Sequence, residues 1–64
     1  MNNYKQAKAD LKTFKKSIKQ ECKGDKPKER MYLNDYTDNL TRNDSNLTEY
    51  QKNLLHNFCA SLHP

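Results

Sequence analysis

The sequence predicts an all-α fold, a small bundle of three helices. Six times in the first 23 residues an apolar or small side chain is followed directly by a lysine, at intervals of three or four residues. The only glycine begins a turn at 24–27, and a second cluster of turn-forming residues lies at 43–46. Isoleucine occurs once, valine is absent, and no alternating apolar pattern reaches five residues, so we expect no strand.

The first helix is predicted over residues 3–23. A helix turns by about 100° per residue, so the apolar members of the six pairs form one stripe and the lysines form a basic edge beside it. Asn2 or Asn3 is expected to cap its start and Gly24 to end it. The apolar side of this helix consists of Tyr4, Ala7, Leu11, Phe14, Ile18 and Cys22. The basic edge consists of Lys5, Lys8, Lys12, Lys15 and Lys19.

The second helix is predicted over residues 27–42, because Pro27 favours a helix start. We expect Leu33, Tyr36 and Leu40 on its inner face, with Met31 and Tyr32 at the margins.

The third helix is predicted over residues 49–62. Thr48 and Gln51 match a capping box, in which each side chain accepts a hydrogen bond from the backbone N–H of the other residue. The residues expected to point inward are Tyr50, Leu54, Leu55, Phe58 and Leu62.

A heptad pattern supports an alternative fold. Leucines recur every seventh position from Leu33 to Leu54, and Asn43 occupies a position where a buried polar residue could set the register. In this interpretation residues 28–62 form one long helix, and the protein is a helical hairpin that pairs with a second copy. The turn-forming residues at 43–46 and the capping box favour the three-helix bundle instead.

Length and charge place the chain in a broad class. Its 64 residues predict a single domain over 1–64, with two cysteines that we expect to be free thiols. Residues 1–28 carry a net charge of +6 and residues 29–64 a net charge of −2, so the two parts attract each other and any anion binding falls to the first helix. No apolar run could span a membrane and no signal peptide is evident, so we expect a cytoplasmic protein without a membrane partner.

Several residues could in principle form a chemical site. His56, Cys59 and His63 share one helical face, and Cys22 is expected near the same end, so the four could surround a zinc ion. The simpler interpretation is that both thiols pack as small apolar groups and the histidines are exposed. His56 and Cys59 could also form a base–nucleophile pair, but no orienting group accompanies them. We therefore expect no enzyme activity, metal or cofactor.

The second and third helices also raise the hypothesis of a helix-turn-helix DNA reader. Its recognition helix would offer only Lys52 and His56 and no arginine, which argues against base recognition.

The expected function is that of a protein-interaction factor. Its basic edge and the neighbouring Met31 and Tyr32 would contact an acidic protein surface. The alternative is binding of nucleic acid without sequence preference, through the lysines of the first helix. Self-association is compatible with both. No motif identifies a family, but the small size and the many asparagines and lysines resemble those of small accessory proteins of phages and other mobile elements, which implies a regulatory role.

Overall fold

The computed structural model describes residues 3–43 and 45–64, which form three mutually packed α-helices and no strand. The helices are α1 (Tyr4–Cys22), α2 (Lys26–Leu40) and α3 (Glu49–Ser61). The predicted all-α three-helix fold is therefore confirmed. In the part of the chain that the structure describes, no helix has the length and apolar character needed to cross a membrane.

The first helix ends where two consecutive residues adopt positive φ. Lys23 has φ 47° and Gly24 has φ 89°, a region that glycine enters at little cost and lysine seldom adopts. The Asp25 N–H donates to the Cys22 carbonyl at 2.8 Å and closes this turn. At the other end Asn3 occupies the N-cap position, but its side chain makes no capping hydrogen bond, so it does not cap as predicted. Asn2 lies outside the described residues.

The second helix begins one residue before the predicted start and ends two residues before the predicted end. At its start the Asp25 side chain accepts a hydrogen bond from the Lys28 N–H at 3.3 Å, and Pro27 lies in the first turn. At its end the Thr41 backbone N–H and hydroxyl both donate to the Thr37 carbonyl, at 3.0 and 2.9 Å. Thr41 thus satisfies one of the last carbonyls of α2 twice.

The break between α2 and α3 rules out the long-helix alternative. The backbone and side chain of Ser45 both donate to the Arg42 carbonyl, at 2.9 and 2.6 Å, and form a turn. The predicted capping box is present: the Gln51 N–H donates to the Thr48 hydroxyl, and the Thr48 N–H donates to the Gln51 side chain, each at 3.1 Å. Asn43 is exposed in the turn rather than buried in a helical seam.

The core receives side chains from all three helices and from the loop before α3. Leu11, Leu33 and Leu55, one from each helix, are fully buried. The apolar side of α1 faces inward as predicted, and the Phe14 ring stacks on the Tyr36 ring with centroids 4.1 Å apart. The buried apolar residues are Ala7, Leu11, Ile18, Cys22, Leu33, Leu47, Leu55 and Cys59.

Two buried polar residues of α2 were not predicted. Thr37 is fully buried, and its hydroxyl donates to the Leu33 carbonyl at 2.8 Å, which satisfies the group without a partner from another helix. Glu29 is also buried, with only 4% of its surface exposed. Both lie on the side of α2 that the helix turns toward α1 and α3.

The inward face of α3 is narrower than predicted. Leu55 and Cys59 are buried, but Tyr50 is 72% exposed, so its prediction as a core residue is wrong. Leu54 is half-buried and lies outside the set of side chains that pack against the core. At about 100° per residue, Tyr50 lies roughly 140° around the helix axis from Leu55. Because Leu55 faces the core, Tyr50 therefore faces away from it.

The capping box makes a testable contribution to stability. Replacing Thr48 by Ala removes the acceptor for the Gln51 N–H, and we expect a loss of about 1 kcal/mol in the free energy of unfolding. Urea unfolding followed by circular dichroism measures this change. Thr48→Ser keeps the hydroxyl and should lose much less, and equal losses in the two variants would contradict a capping role.

Candidate interaction surface on helices α1 and α3

Four lysines form a continuous exposed row on α1, here called the lysine ridge. They are Lys5, Lys12, Lys16 and Lys19. At about 100° per residue they lie within an arc of roughly 60°, and the two acids of α1, Asp10 and Glu21, lie on the opposite side of the helix. Among the described residues, no acid lies within salt-bridge distance of these ammonium groups. Their charge is therefore presented to solvent without internal neutralisation.

The lysine ridge borders α3 at an aromatic ring. The Lys8 ammonium lies 4.9 Å from the centroid of Phe58, and the Lys12 ammonium lies 5.8 Å from it. A cation over an aromatic face is attracted by the negative charge of the ring centre. These contacts hold the two lysine stems against α3, so that positive charge and half-buried apolar surface lie side by side.

Lys15 is separated from the rest of the basic edge by an internal ion pair. Its ammonium lies 3.0 Å from Oε1 of Glu29, in the first turn of α2, and the two side chains are 20% and 6% exposed. That oxygen has no hydrogen-bond partner of good geometry among the described residues, so the attraction of Lys15 is what offsets its burial. Lys15 thus belongs to the packing between α1 and α2 rather than to the free ridge.

Met31 and Tyr32 lie on α2 and share none of the described contacts with the lysine ridge. Met31 is 53% exposed. It lines a shallow groove with Pro27, Arg30, Asn34 and Asp35, all residues of α2. Tyr32 packs against the core, with the Lys28 ammonium 5.8 Å from its ring centroid. The described contacts of these two residues are therefore with α2 and the core.

A separate row of apolar side chains runs along α3, here called the apolar stripe. It consists of Tyr50, Leu54 and Phe58, which recur every four residues and so lie on one side of the helix. Tyr50 is exposed, and Leu54 and Phe58 are half-buried. Through the contacts of Phe58 the stripe adjoins Lys8 and Lys12. Sequence reasoning missed this surface because it assigned all three residues to the core.

Cys59 and His63 form a small polar cluster with Asn34 of α2. His63 Nε2 lies 3.1 Å from Asn34 Oδ1 and 3.8 Å from Cys59 Sγ, and the thiol donates to the Leu33 carbonyl at 3.5 Å. Because the thiol and the amide oxygen meet the same ring nitrogen, this is not the arrangement of a nucleophilic relay, in which the base uses its two nitrogens separately. The cluster ties the end of α3 to α2.

The other residues of the zinc and DNA-reader hypotheses have different contacts. His56 Nε2 lies 3.3 Å from the Thr41 hydroxyl. Lys52 lies 3.6 Å from Glu49, and its side chain is only 16% exposed, so its charge is partly engaged within α3. Within residues 3–43 and 45–64, no group of three or more His, Cys, Asp or Glu side chains could hold a metal ion. The four residues of the zinc hypothesis are therefore not brought together.

Two weakly acidic side chains, the buried Cys22 thiol and the half-buried Tyr36, have a raised pKa. Burial raises the pKa of the Cys22 thiol, an effect that the nearby positive charge of Lys28 partly offsets. Burial also raises the pKa of Tyr36, and the negative charge of Asp10 adds to this effect. Both groups are neutral when protonated, so the folded protein holds these protons at a pH where the unfolded chain releases them.

Alkaline pH is therefore expected to destabilise the fold. The stabilisation from these two groups is complete below their unfolded pKa values and is lost as pH rises from about 9 through the raised folded values. Urea unfolding at increasing pH measures the loss. Tyr36→Phe should make the decline shallower, and an unchanged decline in this variant would contradict the assignment.

The ion pair between Lys15 and Glu29 predicts different costs for two adjacent lysines. Lys15→Met leaves the Glu29 carboxylate buried without a counter-charge and should cost roughly 2–3 kcal/mol, less than the roughly 3–5 kcal/mol for breaking a fully buried pair because Lys15 keeps some exposure. Lys16→Met, on the exposed ridge, should change stability by less than about 0.5 kcal/mol. Urea unfolding compares them. Equal effects would show that the pair does not stabilise the fold.

Comparison with known proteins adds no family to this description. No family model matches the chain, and no curated protein or solved structure is detectably similar to it. A binding role for the lysine ridge and the apolar stripe must therefore be argued from the chemistry of their side chains.

Proposed function

We propose that the protein is a non-enzymatic interaction factor that binds an acidic protein surface through the lysine ridge of α1. The observation that supports this proposal is the exposure of four ammonium groups on one side of a single helix, along about 21 Å, with no acid on the same side. Such a row attracts an anionic surface and orients it along the helix axis.

The distribution of lysines within α1 supports a role for the ridge outside the fold. Lys15 pairs with Glu29 and Lys8 covers Phe58, so both contribute to packing. Lys12, Lys16 and Lys19 instead follow one another at four and three residues, a spacing at which like charges repel by a few tenths of a kcal/mol per pair. An acidic surface docked on the ridge would remove this repulsion.

A protein partner accounts for the surface better than a nucleic acid does. The ridge contains only lysine, which binds carboxylates and phosphates alike as a point charge, so the choice between the two partners rests on what surrounds the ridge. Its immediate neighbour is the half-buried apolar stripe rather than a second basic row. Asp35 and Asp38 on the exposed side of α2 would repel a polyanion that extended around the molecule. Phosphate-backbone binding along the ridge is the competing hypothesis.

Charge removal at matched positions tests the proposal. Lys12→Gln with Lys16→Gln removes two ridge charges, and Lys26→Gln with Lys28→Gln removes two exposed charges of α2. Binding of fluorescent poly-L-glutamate, measured by anisotropy at low salt, should weaken about fivefold for the ridge pair and less than twofold for the α2 pair.

Two outcomes would overturn the proposal. Equal losses in the two variants would mean that only net charge matters. Ridge-dependent binding to duplex DNA of about 20 base pairs that persists at about 150 mM salt, where poly-L-glutamate no longer binds, would support the nucleic-acid hypothesis instead.

A further inference from the structure

We infer that the partner contacts this protein through an amphipathic helix, which lays its apolar side on the stripe of α3 and its acidic flank against the lysine ridge of α1. The inference rests on the proposed function, since the ridge provides the charge that it requires. It goes further in two respects. The binding surface includes the apolar stripe formed by Tyr50, Leu54 and Phe58 as well as the lysine ridge, and the segment of the partner that binds is an amphipathic helix.

The apolar stripe is the part of α3 that the fold leaves uncovered. Tyr50 is one of two large hydrophobic residues with a predominantly exposed side chain among the described residues. Leu54, one turn further along α3, is half-buried without packing against the core cluster. Phe58, one more turn along, packs against the core on one side and lies beneath Lys8 and Lys12 on the other. The three residues span about 12 Å, the length of two helical turns.

The two sides of the stripe differ in charge. On the α1 side the ammonium groups of Lys8 and Lys12 lie within 4.9 and 5.8 Å of the Phe58 ring centroid. On the other side α3 presents Asn53, Asn57 and Ala60, which are exposed and uncharged, and at its first residue Glu49, whose carboxylate lies 3.6 Å from the Lys52 ammonium. A matching ligand therefore carries apolar residues for the stripe, acids along one flank and neutral residues along the other.

A helix is the element that combines these features over this length. Apolar residues at spacings of three and four place anchors along one helical side, and acids at adjacent positions form a parallel flank. Such a helix would lie along α3 beside the lysine ridge, so that Leu54 and Tyr50 become covered. The aliphatic parts of Lys8 and Lys12, which lie over the Phe58 ring, would form one wall of the surface that this helix contacts.

A second copy of this chain fits the surface less well. If two copies paired symmetrically through their stripes with α3 antiparallel, the two lysine ridges would lie on the same edge and repel each other. With α3 parallel, each ridge would face the uncharged flank of the other copy, with Asn53 and Asn57. The parallel arrangement offers the two ridges a single acid, Glu49, which already pairs with Lys52, so charge complementarity favours a partner with more acids.

Two designed peptides of identical composition test the inference. One forms a helix with leucines at spacings of three and four and glutamates along one flank. The other has the same residues in an order that scatters the leucines around the helix, so that its charge is unchanged. Binding of each fluorescent peptide to the full-length protein is measured by anisotropy, and we expect the amphipathic peptide to bind about tenfold more tightly.

Variants of the apolar stripe locate the effect. Leu54→Gln and Tyr50→Ser should each remove most of the preference for the amphipathic peptide. Because Tyr50 is exposed, Tyr50→Ser should leave the fold intact, and circular dichroism checks the helix content of both variants. Met31→Ser, at the other exposed large hydrophobic position, is the matched control and should retain the preference.

The outcomes separate the inference from the proposed function. If both peptides bind equally and lose affinity with the ridge variant Lys12→Gln/Lys16→Gln, the ridge binds acids but the stripe does not select a helix, and the inference is wrong. If neither peptide binds at low salt, both proposals fail. A preference that survives Tyr50→Ser and Leu54→Gln but is lost in Met31→Ser would place the site on α2 and also overturn the inference.

Discussion

The burial of three leucines, one from each helix, in a common core is the constraint on which the rest of the structure depends. Leu11, Leu33 and Leu55 are all fully buried and belong to one hydrophobic cluster. In a chain of 64 residues little apolar surface is available to offset the conformational entropy lost on folding. The orientation of each helix is therefore set by the need to turn its leucine inward, and every other side chain of the helix takes its position from that rotation.

The rotation of α1 divides its lysines into two groups with different tasks. With Leu11 inward, Lys8 and Lys15 fall at the margin of the interface, where one covers the Phe58 ring and the other neutralises Glu29. Lys5, Lys16 and Lys19 point to solvent, and Lys12 lies between the two groups, exposed but still within 5.8 Å of the Phe58 centroid. The basic edge of the sequence thus becomes a structural margin and an exposed ridge, and Lys15 is the member whose charge a described acid neutralises.

The rotation of α3 leaves apolar surface outside the core, beside that charge. Its predicted inward residues span an arc of roughly 140°, whereas two neighbouring helices of modest length cover less than this. Leu55 and Cys59 take the covered part, and Tyr50 and Leu54 remain at its border. Because the loop residue Leu47 also enters the core, part of the space near the start of α3 is already filled. The proposed binding surface is a consequence of how a small bundle distributes more apolar residues than it can bury.

The sequence by itself determined the approximate limits of the helices, because these depend on local interactions, and it favoured three helices over the long hairpin that the structure rules out. The capping box at Thr48 and Gln51, the turn at Gly24 and the turn-forming residues after α2 are read from neighbouring positions, and the helix ends agree with them to within two residues. The tertiary structure decided which lysine is free, why Glu29 is buried and why Tyr50 is exposed. These outcomes depend on the relative rotation of the helices, which adjusts until the leucines are buried. A residue's own neighbours in the chain do not determine that rotation, because it is set by contacts between side chains far apart in sequence.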